Sequence, residues 1–90
     1  MPPDWDQLRH ATTAAQITFL DAEVDTGITL ARIALKASDP DKVSRNAASA
    51  RKAYDTLISY IADLPPQTPG LEDVRRKIIT LQQLLRSLEK

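Results

Sequence analysis

The chain has 90 residues, enough for one domain, and contains no cysteine, which excludes disulfides, thiolate metal sites and cysteine nucleophiles. Twelve basic residues balance twelve acidic ones, so no net field draws it to nucleic acid or an anionic membrane. Two glycines against abundant Ala, Leu, Gln, Lys and Arg is a helix composition, and no apolar run nears the ~20 residues that span a bilayer.

The N-terminal Met1-Pro2-Pro3-Asp4-Trp5-Asp6 is acidic and lacks the apolar stretch of a secretion signal, so the expected location is the cytoplasm. Asp4 and Gln7 have the spacing of a capping box and predict a first helix over about 4–37. Ile17, Leu20, Val24, Ile28, Ala31 and Leu35 form its core stripe, yet Phe19, Leu30, Ile33 and Ala37 fall nearly opposite. At 100° per residue this apolar arc exceeds half the circumference, leaving a polar wedge of Asp21, Asp25, Thr29, Arg32 and Lys36. Two arrangements satisfy such an arc: the helix is wedged between the other two, or part of the arc meets another chain. Gly27 either lets a tyrosine, Tyr54, pack close on the second helix or marks a break.

Asp39-Pro40-Asp41 supplies an N-cap, a first-turn proline and an acid at the helix's positive end, predicting a second helix over about 40–63. Its stripe is Val43, Ala47, Ala50, Tyr54, Leu57, Ile61 and Leu64, flanked by Ala53, Ile58 and Tyr60. Thr68-Pro69 repeats the cap-plus-proline signal and predicts a third helix over about 69–89. There Leu71, Val74, Ile78, Leu81, Leu85 and Leu88 step by three and four. The fold class is therefore all-α, an antiparallel three-helix bundle spanning residues 1–90 as one domain. At 1.5 Å per residue the first helix is about 50 Å long and the second about 36 Å. The excess leaves Trp5 and Leu8 overhanging, to pack on the Pro65–Pro69 connection or on a partner.

Few residues are arranged for chemistry. His10 lies between Arg9 and Ala11 with no serine or acid at triad-like spacing, and reads as a surface histidine. Asp21 and Asp25 stand one turn apart without a third ligand on that face, so no metal or other cofactor is expected. Glu23 falls inside the apolar arc of the first helix and Asn46 on the apolar face of the second; both are candidate buried polar residues that set register. Arg75, Ile79, Gln82 and Arg86 share one strip on the outside of the third helix, a candidate basic strip for an acidic partner or phosphate. In the same run, Glu72 and Asp73 are spaced to pair with Arg76 and Lys77.

The hairpin Asp39-Pro40-Asp41-Lys42, Arg45-Asn46 and Ala50–Thr56 resembles segments of small uncharacterised bacterial three-helix proteins. That resemblance covers about the middle third and implies an architecture without an activity. The hairpin is also similar in outline to tetratricopeptide repeats. Aligning Pro65 with the repeat-ending proline, however, puts Tyr60 where the repeat needs alanine and Pro40-Asp41 where it needs Leu-Gly. Similarity to microtubule-interacting-and-transport domains extends only to three helices in this order.

The sequence thus predicts a non-catalytic interaction module, a homodimer or a receptor for a helical partner. Its candidate interface is Trp5, Leu8, Phe19, Leu30 and Ile33. Alternatives are a ligand-binding bundle built around Glu23 and Asn46, or a phosphate or nucleic-acid binder using the third helix.

Overall fold

A computed structural model describes residues 12–89. Three helices follow in order: α1 over Thr13–Lys36, α2 over Pro40–Ile61 and α3 over Leu71–Leu88. They pack as the all-α three-helix bundle expected from the periodicities.

α1 begins later than the proline and capping-box signals suggested. Thr12 is extended (φ −61°, ψ 154°) and is itself the N-cap, its hydroxyl oxygen accepting from the Ala15 amide at 3.2 Å. The helix has 24 residues against 22 in α2, so within the described residues the two are nearly matched, and the expected overhang lies outside them. Trp5, Leu8, His10 and the Asp4–Gln7 capping pair lie outside the described residues. α1 runs unbroken through Gly27.

α2 starts as its sequence dictates. Asp39 accepts from the Asp41 amide at 3.1 Å, and Pro40 occupies the first turn where its missing N–H costs nothing. α3 does not start at Pro69. Thr68, expected to cap it, points its hydroxyl back to donate to the Pro65 carbonyl at 2.6 Å. The Leu71 amide donates to the Thr68 carbonyl at 3.1 Å, closing a turn with Pro69 second and Gly70 third. Gly70 has φ +85° and ψ −11°, so this is a type II turn, and its glycine becomes the N-cap of α3.

The core joins Leu20, Val24, Ile28 and Ala31 of α1 to Ala50, Leu57 and Tyr60 of α2 and to Val74, Ile78, Leu81 and Leu85 of α3. α1 is the central element: α2 and α3 touch each other far less than either touches α1. A wide apolar arc is what such a position requires. Small residues are buried on both helices of the α1–α2 pair, Gly27, Ala31 and Ala34 on α1 and Ala50 and Ala53 on α2, with Gly27 close to Ala53.

Gly27 is not opposed by Tyr54. A Cβ built there would lie 2.9 Å from Leu81 Cδ2 and 3.4 Å from Ala53 Cβ, so the glycine sits where all three helices converge. Leu35, expected in the core, is 43 % exposed, and Ala34 is buried in its place. α1 ends at Lys36, one residue beyond Leu35.

Candidate functional site

Each seam of the bundle is finished differently. Between α1 and α3 the join is polar: the Lys77 ammonium donates to Asp21 at 2.9 Å and lies 3.0 Å from Asp25. The acidic pair on α1 is therefore occupied by a lysine from across the bundle. The polar wedge of α1 is solvent-facing as expected, but its acids pair with Lys77 and not with Arg32 or Lys36, and Asp73 does not pair with Lys77. Asp73 and Glu72 instead both bind Arg76, at 3.5 and 3.3 Å. Hydrogen bonds to Asp21 and then Asp25 hold the Lys77 pKa above the usual 10.5, outweighing a small desolvation effect.

The α2–α3 seam is open. α2 buries Ala50, Ala53, Leu57 and Tyr60, so its buried arc is rotated from the stripe through Tyr54 and Ile61 toward α1. The rotation is about 55° at 100° per residue, and it leaves Tyr54, Ile58, Ile61 and Ala62 as one wall of a groove. Arg75, Ile79 and Gln82 of α3 form the other wall, and the buried Ile78 lies at the base. The groove holds about 410 Å³. Ile58 and Ile79 are 40 % and 54 % exposed along it. Beyond Tyr54 the helices are fastened together, since Arg51 pairs with Glu89, the C-cap of α3, at 3.2 Å and with Asp55 at 3.6 Å. The Arg51 guanidinium also lies over the Tyr54 ring, 5.7 Å from its centroid.

Three of the four strip residues on α3 line this groove: Arg75, Ile79 and Gln82. Arg86 continues the strip one turn further and is exposed. The candidate interface on α1 is not assembled in the same way. Phe19 and Leu30 are half-buried, Leu30 against the core, and only Ile33 stays open at 39 %. Leu35, the other exposed apolar residue of α1, is two positions away and so points some 160° from Ile33.

Glu23 and Asn46 are both partly exposed, and they are not brought together. Asn46 donates to the Lys42 carbonyl of its own helix at 2.9 Å. With Ala53 against Gly27, Asn46 stands level with about residue 34, some 16 Å along α1 from Glu23 at 1.5 Å per residue. Neither lines the groove, the cleft by Gln16, Asp63 and Leu64, or the hollow at Asp39 and Arg45. Among the described residues no three metal-ligating side chains gather, and no helix is long and apolar enough to cross a membrane.

Protein-family models, curated proteins and solved structures compared with this chain give no match. The groove's own chemistry is what bears on function. Sequence periodicity found Ile79 off the core seam and placed Tyr54 and Ile61 in the core stripe, against which both pack while remaining partly exposed, but it did not show that Ile58, on the flank, stands open. The signal that was available is the width of the α2 stripe, which exceeds what one neighbouring helix covers.

Proposed function

We propose that this chain is a non-catalytic interaction module that docks a helix of another protein in the groove between α2 and α3. The observation that carries it is the pair of exposed isoleucines, Ile58 and Ile79, facing one trough from two helices. Tyr54 to Ala62 covers about 12 Å at 1.5 Å per residue, the length over which a helix presents side chains at i, i+4 and i+7. A fourth helix laid there would cover the one seam that α1 does not close.

A small-molecule site is the weaker reading, because such sites enclose 70–90 % of the ligand and this trough is open. A phosphate site on α3 is weaker still. Arg76 and Lys77 are spent on carboxylates, and Arg75 and Arg86 stand 11 residues apart, about 16 Å along the helix. α1 is the lesser candidate surface, since Ile33 and Leu35 point different ways.

Magnitudes bound the affinity. Fully burying an isoleucine is worth about 1.5–3 kcal/mol, and these two are already about half covered, so together they offer about 2–3 kcal/mol. Association itself costs at least about 4 kcal/mol, so the two isoleucines alone do not hold a partner; contacts with the partly exposed Tyr54 and Ile61 must add to them, and the complex stands at the weak, small end of interfaces. The test is a titration of the methyl-labelled chain with a synthetic amphipathic helix bearing leucines at i, i+4 and i+7 and glutamines elsewhere. Shifts centred on the Ile58, Ile78 and Ile79 methyls are expected. Shifts absent from these methyls would overturn the reading. Methyl shifts that follow the chain's own concentration, with a mass rising above 10.0 kDa, would replace it with self-association.

A further inference from the structure

We infer that the partner helix is acidic, with carboxylates flanking its apolar face that pair with Arg75 and Arg86; this rests on the docking groove proposed above. Arg75 alone is charged among the described residues lining the groove. The cations next to it in sequence, and Arg51 on α2, are engaged. Arg76 holds Glu72 and Asp73, Lys77 holds Asp21 and Asp25, and Arg51 holds Asp55 and Glu89. Arg75 and Arg86 are the cations of α3 without an ion pair among the described residues. They stand on the strip that carries Ile79, one before it and one after. Other cations, such as Arg32, Arg45 and Lys52, also lack an ion pair among the described residues; what sets Arg75 and Arg86 apart is that they flank Ile79 on the strip beside the groove.

The same pair of charges disfavours a second copy of this chain as the occupant. A two-fold axis across the strip sets α3 antiparallel to itself, which brings Arg75 of one copy beside Arg86 of the other and adds repulsion at both ends. An acidic helix turns both positions into attraction. Carboxylates a few turns apart on either side of its leucines would span the two arginines while the leucines enter the trough beside Ile58 and Ile79.

The experiment uses the full chain and two further synthetic helices, with the leucine positions unchanged and glutamates or lysines in place of the flanking glutamines. The glutamate helix is expected to bind at the Ile58 and Ile79 methyls about tenfold more tightly than the lysine helix, with the difference shrinking as salt is raised. Exchanging Arg75→Glu and Arg86→Glu together should reverse the preference. Both side chains are exposed, so circular dichroism should be unchanged. Equal binding of the two helices at the groove, or an unreversed preference in the double variant, would overturn the acidic partner while leaving the docking groove intact. Failure of all three helices to move those methyls would overturn the groove and the acidic partner together.

Discussion

Two glycines show how local geometry decides what a residue contributes. Gly27 is a matter of space: an added Cβ would meet Leu81 Cδ2 at 2.9 Å, and Leu81 has no exposed surface into which to move. Alanine gains about 1 kcal/mol of helix propensity over glycine, which offsets the cost of shifting one methyl group. Gly27→Ala is therefore expected within about 1 kcal/mol of the parent, whereas Gly27→Leu should lose about 1–3 kcal/mol through overpacking. Urea midpoints at constant slope would measure both. Gly70 is a matter of backbone. Its φ of +85° costs an L-residue about 1–2 kcal/mol, and an added Cβ would stand 2.8 Å from Cγ2 of the β-branched Ile17, which has little freedom to turn. Gly70→Ala should then lower the melting temperature by about 8 °C, at roughly 4–8 °C per kcal/mol for a domain of this size. An unchanged melting temperature would mean that the type II turn relaxes without loss.

At the scale of elements, the three seams are held by different forces and respond to different conditions. The α1–α2 seam is close-packed alanine and glycine, indifferent to pH and salt. The α1–α3 seam carries Lys77 between two carboxylates, and its pKa is raised above 10.5. A raised cationic pKa stabilises the fold fully below the unfolded value and ceases to do so as pH climbs through the folded value. Lys77→Met is accordingly expected to melt lower than the parent at neutral pH, with the gap closing as pH passes 10.5 and beyond. A gap that stays constant across that range would show that the variant acts through packing of the lysine stem and not through its charge. Added salt should narrow the gap as well, because the three groups are partly exposed, 37 % for Lys77 and 41 % for Asp21.

For the molecule as a whole, a central α1 flanked by α2 and α3 makes a flattened body of 41 × 26 × 16 Å. Among the described residues, a broad apolar trough lies between the two flanking helices. Filling it with a fourth helix stabilises the folded state by linkage. A docked peptide at about a hundredfold excess over its Kd should add about 2.7 kcal/mol, a rise on the order of 10–20 °C in melting temperature. Ile79→Ser should cut that rise by roughly a third to a half while leaving the melting temperature of the free chain nearly unchanged, since Ile79 is already 54 % exposed. Loss of stability in the free variant would instead assign Ile79 to the fold.

Helix number, order and the α3 seam were legible in the sequence because they depend on neighbours three or four residues apart. Leu71, Val74, Ile78, Leu81 and Leu85 are buried as their spacing requires, and Asp39-Pro40 caps α2 with its own side chain. The Pro69-Gly70 turn is equally local, but reading Thr68-Pro69 as a helix cap misses it: proline second and glycine third is the signature of a type II turn. What the sequence left open concerns the rotation of each helix about its axis and the partners it then meets. Whether Tyr54 or Ala53 faces α1, whether Lys77 reaches Glu or Asp on its own helix or on α1, and whether Leu35 or Ala34 enters the core all depend on contacts between residues far apart in the chain. Those are set only when three apolar arcs compete for one shared core. α1, with the widest arc, takes the centre, and α2 and α3 turn toward it. The groove between them is a consequence of that competition and of no single segment.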